Sequence, residues 1–222
     1  MIFHFKMQEI DHRTIKLLIG LIACTLPFLT SFFAGSPLTS ISASYYEGGW
    51  SRSIFIGFLS AIAAFLVAYN GLSPLEMILS KSAAIAAVVV VLFPCKCDDY
   101  SESNPYVHNA LYVSYVHNFS AASMFCILAC FCFRFYQRAR SKGHAEAKWR
   151  ARIYAVCGIV IATLIFGLPI DHFWLNDCIT NQFPRPMFRA ETTGLIAFGL
   201  SWLIASRVLP CVTRKDERLK LW

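Results

Sequence analysis

Charge is what this chain has least of. Only 15% of its 222 residues are Asp, Glu, Lys or Arg, against roughly a quarter in an ordinary soluble domain, and 57% are hydrophobic. A chain so poor in charge cannot clothe an average soluble enzyme. No CxxC and no HExxH occurs, so neither a thiol redox pair nor a short zinc signature is written in the sequence. The basic excess, twenty Lys and Arg against thirteen Asp and Glu, lies at the ends of apolar runs, so membrane topology is its simplest reading and nucleic acid is not an expected partner.

Long apolar runs are abundant, and the mean hydropathy is +0.53. Runs able to cross about 30 Å of hydrocarbon imply helices, because a spanning segment must satisfy its own backbone polar groups. We expect an all-α integral membrane bundle in one domain, with six transmembrane helices over residues 17–35, 53–69, 75–93, 108–133, 153–170 and 190–208. The first reads as a retained helix rather than a signal peptide, because no small-residue cleavage pattern precedes the next loop. Lys81 is the awkward charge of the third span, and its long stem allows it to snorkel. Six spans put both termini on one side. Sixteen of the twenty cations share that side, with only Arg52, Lys96, Arg185 and Arg189 opposite, so the termini are expected in the cytoplasm and the protein in a bacterial inner membrane. The stretch from Arg134 to Arg152 reads as an interfacial basic segment facing anionic headgroups, or as plain topology signalling.

Cys24, Cys126, Cys130, Cys132 and Cys157 fall inside apolar runs and act there as small hydrophobes. Cys95, Cys97 and Cys178 lie in polar connections on the outward, oxidising side, where a disulfide from Cys178 to Cys95 or Cys97 is expected.

Polar residues out of place in a membrane gather at that outward level. Ser40, Ser42, Tyr46 and Arg52 flank the start of span two, His117 lies in span four, Asp171 and His172 end span five, and Arg189 and Glu191 open span six. Ionisable groups at membrane depth usually face a bundle interior or a watery cavity, so an outward-facing pocket is expected. His108 and His117 are nine residues apart and so on opposite faces of one helix; Ser114, Ser120 and Ala121 favour His117 as the inward one. If the pocket is catalytic, His117 is the general base, Glu191 and Asp171 orient it, and Arg52 holds a phosphate or carboxylate. Ser40, Ser42, Tyr46, His172 and Arg189 complete a ligand-binding set. The bland readings are an ion pair for Glu191 with Arg52 or Arg189, and helix glue for His117. His117, His172, Asp171 and Glu191 are acceptable zinc ligands, yet they come from three helices, so zinc stays open without a motif to demand it.

Several short motifs in order along the chain, Ser40-Ile41-Ser42, Arg52-Ser53-x-Phe55-x-Gly57, Phe93-Pro94, His117-x-x-Ser120-Ala121 and Glu191, resemble the six-helix Frag/DRAM/Sfk-type membrane proteins. Small bacterial six-span proteins look closer still, through Gly199-Leu200-Ser201-Trp202. The family usually carries an acid after its Ile-Ser; here Ala43 stands there, leaving any such role to Glu47. The resemblance implies a lipid-related function in the outer leaflet, by binding a membrane lipid or remodelling it through acyl hydrolysis or transfer. A non-catalytic scaffold or receptor, or a small-solute channel, is the alternative; the apolar centres of spans two and five argue against a pore.

Overall fold

A computed structural model describes residues 11–95 and 110–218; His108 and Cys97 lie outside the described residues. Among those described, every regular element is helical. They are α1 (His12–Phe32), α2 (Ser44–Glu47), α3 (Gly49–Ala68), α4 (Pro74–Leu92), α5 (Ala110–Arg140), α6 (Ala145–Trp174) and α7 (Pro186–Ala205), with short 3-10 turns around α7. Five helices, α1 and α3 to α6, are long and apolar enough to cross a membrane. The sixth expected span, α7, is equally long, but Arg189, Glu191 and two threonines occupy its first half, and ten of its twenty residues are buried. Neighbouring helices cover half of it.

Local chemistry sets the helix ends. Asp11 accepts from the Arg13 amide at 3.2 Å, so α1 starts five residues before its apolar run. Ser73 caps α4, with Pro74 at the first helical position. The largest difference from expectation lies between residues 134 and 152. α5 continues to Arg140, α6 begins at Ala145 with His144 as its cap, and a turn through Gly143 at φ 76° joins them. At about 1.5 Å per residue these two helices are about 45 Å long, well beyond the hydrocarbon thickness. Their polar ends stand outside it, where a hydropathy reading stops seeing helix.

The six long helices form a closed ring, each packing on the next in sequence and α7 returning to α1, while α7 also touches α5. The α1–α7 seam is close because both sides lack side chains: a Cβ on Gly199 would lie 2.5 Å from Cys24 Sγ and 2.9 Å from the Gly20 carbonyl. Buried hydroxyls stitch other neighbours, Ser51 donating to Thr30 O at 2.9 Å and Ser80 to Leu66 O at 2.6 Å. Lys81 turns to the end of α3, its Nζ donating to Val67 O and to Asn70 Oδ1. At the centre of the ring Trp202, fully buried, packs edge-on or tilted against Tyr69, Phe131, Phe198 and Phe135 with ring centroids 5.2 to 5.8 Å away.

Candidate functional site

At the end of the bundle carrying α2, the first loop is a folded unit rather than an open rim. Ser40 and Ser42 share a hydroxyl contact at 3.2 Å, Ser40 Oγ accepts from Ala43 N at 3.0 Å, and Ser44 donates to Ile41 O at 2.5 Å. Glu47 closes the loop behind them, accepting from Gly35 N at 3.0 Å and Ser36 Oγ at 2.6 Å. The Glu191 carboxylate accepts from Ile41 N at 2.5 Å, and one turn earlier Phe188 N donates to Thr39 O at 3.0 Å. Thus α7 clasps loop one through one side chain and one backbone amide. Tyr46 donates to Cys95 O at 2.6 Å, which ties the same unit to the end of α4, and Cys95 lies within electrostatic reach of Glu191.

The other expected site residues have separate partners. His117 is buried and meets Phe93 O through Nδ1 at 2.6 Å. A carbonyl only accepts, so Nδ1 carries the proton, and the imidazole satisfies one of the orphan carbonyls at the C-terminus of α4. Arg52 is exposed, its guanidinium 4.4 Å from the Tyr45 ring. Asp171 is buried and accepts from Ile179 N at 2.9 Å and Thr180 N at 2.8 Å, holding the turn in which Asn176 and Asp177 adopt positive φ. His172 is exposed and pairs with Asp177 at 3.0 Å. Arg189 is exposed. The structure therefore brings Ser40, Ser42 and Glu191 together, with Tyr46 beside them through Cys95, while His117, Arg52 and the Asp171–His172 pair each engage their own local partners.

Among the described residues no cluster of three His, Cys, Asp or Glu can hold a metal. Among the described residues Cys95 and Cys178 do not form the expected bridge: Cys95 is buried beneath the clasp, whereas Cys178 is exposed in the turn that Asp171 organises.

The opposite end, which carries both ends of the described chain, holds a cavity of about 320 Å3. Arg13 and Lys16 from α1, Arg138 from α5, Lys142 from the α5–α6 turn and Arg207 after α7 line it, against Asp11 and Glu217 as the acids. Part of this charge is compensated. Glu76, fully buried, receives Arg138, Leu72 N at 3.0 Å and Tyr69 Oη at 3.4 Å. Glu217, on the 3-10 turn Lys215–Glu217, receives Lys142 at 2.5 Å, Arg207 at 2.7 Å and Arg150 at 3.0 Å. Burial pushes the Glu217 carboxyl up, but the Lys142 hydrogen bond and the Arg207, Arg150 and Lys142 charges outweigh it and hold it at about 2.

Lys16 is compensated only at a distance, by Glu76, and by no direct ion pair among the described residues. Its side chain is 6% exposed, and among the described residues no oxygen accepts from Nζ. The ammonium lies over the rings of Tyr69 and Phe135, 5.2 and 5.4 Å from their centroids, with Arg138, Arg207 and Arg13 within electrostatic reach and Glu76 as the acid among them. A buried charge with no paired anion is costly, so this wall of the cavity is chemically suited to an anion from outside.

Sequence reasoning treated Arg13, Lys16 and Arg207 as topology, and Arg138, Lys142 and Arg150 as part of an interfacial basic stretch or as topology. The available signal was the pair Lys16 and Glu76, each a charge at the edge of an apolar helix; what it could not supply was their convergence on Arg138, 122 positions from Lys16 and 62 from Glu76. Compared with family models, curated proteins and solved structures, the chain matches none, so its own geometry carries the functional reading.

Proposed function

We propose that this multi-pass membrane protein binds membrane lipid by the phosphate of an anionic headgroup, in the basic cavity at the end holding both ends of the described chain. The observation that carries this is Lys16, a buried ammonium lining a cavity with five cations and two acids and lacking an anionic partner. The volume suits a phosphate with its glycerol, and charge-assisted bonds from guanidinium and ammonium groups are the usual phosphate recognition. By the distribution of cations this end faces the cytoplasm, α7 is the sixth crossing, and any kinship with Frag/DRAM/Sfk-type proteins is one of architecture and lipid handling. Binding is favoured over acyl chemistry because His117, Glu191 and Asp171 have their hydrogen bonds committed to backbone groups. The test is Lys16→Met. Removing an ammonium needed only for ligand lowers retention of phosphatidic acid by at least tenfold, about 1.4 kcal/mol, while the ligand-free protein melts at the same temperature or higher. Unchanged retention with a lower melting temperature would make Lys16 a structural residue and defeat the proposal.

A further inference from the structure

The segment after α7 folds back over the cavity instead of leaving it. Arg150, fully buried on α6, donates to Val212 O at 2.7 Å as well as to Glu217. Arg13 donates to Glu217 O at 3.2 Å, and Arg218 closes the segment on itself through Thr213 O and Pro210 O. The carboxylate this fold delivers meets three cations, two of which, Lys142 and Arg207, line the cavity together with Lys16. Three cations around one carboxylate exceed its charge, and Lys16 stands beside them without an anion. A carboxylate offers one negative charge and two oxygens; a phosphomonoester offers close to two charges and three terminal oxygens. The second fits this set of donors better than the first.

We infer that Glu217 is a self-ligand: its carboxylate holds part of the phosphate position, and a phosphomonoester headgroup displaces it, releasing residues 210–218 from the cavity mouth. This rests on the lipid-binding reading of the same cavity and adds to it a ligand class and a coupling between binding and tail release. By linkage, whatever the ligand does to the tail the tail does to the ligand, so weakening the self-ligand tightens lipid binding by the same factor.

The full chain in phosphatidylcholine nanodiscs, with or without phosphatidic acid, provides the test. In the wild type, phosphatidic acid should speed trypsin cleavage after Arg214, Lys215 and Arg218, and Glu217→Gln should retain phosphatidic acid more tightly by at least about fivefold, the low end of ordinary coupling. Retention without faster cleavage, or a Glu217→Gln variant binding no better than wild type, overturns the self-ligand while leaving the lipid site intact. No retention by either protein overturns both. Faster cleavage with inorganic phosphate but not with phosphatidic acid keeps the self-ligand and overturns the lipid as its competitor. Should Glu217→Gln fail to fold, cleavage of the wild type alone decides.

Discussion

Glu191 offers a clean separation between a carboxylate that builds the protein and one that serves a ligand. Its Oε2 accepts from Ile41 N, and Ile41 is 2% exposed, so no water can replace a lost acceptor. In Glu191→Ala the amide is left buried and unpaired, at about 1 to 3 kcal/mol. In Glu191→Gln a side-chain oxygen of the same reach remains, and the cost falls to about 1 kcal/mol or less, the difference between a charged and a neutral acceptor. For a chain of this length 1 kcal/mol moves the melting temperature by about 2 to 4 °C, so Ala should lose about 2 to 12 °C in detergent and Gln no more than about 4 °C, always less than Ala. Lipid retention by the surviving folded fraction should not change. The reasoning is refuted if Gln costs as much as Ala, or if Ala melts like wild type but loses a lipid, since either makes the negative charge, rather than an acceptor for loop one, the reason Glu191 is there.

Gly199→Ala should cost about 3 kcal/mol, because its Cβ would enter the contact with Gly20 and Cys24 and part α1 from α7; Gly57→Ala, with nothing within 4 Å, should be neutral or slightly stabilising. Parallel melting curves check both. His117→Ala should lose about 1 to 3 kcal/mol by freeing the Phe93 carbonyl, and His117→Gln, which restores a donor, should regain part of it. Lipid binding lost at unchanged stability would instead place His117 in a site. The folded Glu217 carboxyl, at about 2 against an ordinary 4.5, is faced by Lys142, His144, Arg150 and Arg207, with Arg13 on its backbone. A depressed acid stabilises above its unfolded value, so stability should be flat above pH 4.5 and fall between about pH 4.5 and 2. The loss is about 1 to 2 kcal/mol after allowing for solvent screening, and it should vanish in Glu217→Gln.

The membrane character and the number of long helices were legible because lipid imposes a one-dimensional rule on sequence: a long apolar run must be a helix. The ends of α5 and α6 were not, because beyond the hydrocarbon that rule lapses and a polar helix looks like a loop. Depth was legible and direction was not. Arg189 and Glu191 share a membrane level, yet two residues on a helix are about 200° apart, so Glu191 turns to loop one and Arg189 turns out. His117 and Arg52 likewise share that level, and their partners, Phe93 O and the Tyr45 ring, are set by how helices rotate against one another. The basic cavity was least legible of all, since Arg138 meets Glu76 across 62 residues and Arg150 meets Glu217 across 67.

The two ends of the bundle solve the problem of charge near lipid in opposite ways, and that contrast bears on where function resides. At the clasp end each buried acid is matched by backbone amides: Glu191 by Ile41, Asp171 by Ile179 and Thr180. Such groups are neutralised locally and gain nothing from a visitor. At the other end the chain keeps cations in excess. Arg207 sits at φ 67°, just past the end of α7, where glycine closes a helix at no steric cost. A side chain there costs about 1 kcal/mol or more. Lys16 adds a buried ammonium that a methionine would replace more cheaply. If the cavity receives an anion as proposed, Lys16 and Arg207 supply part of its positive charge, and the folded-back Glu217 offsets that charge until the anion arrives.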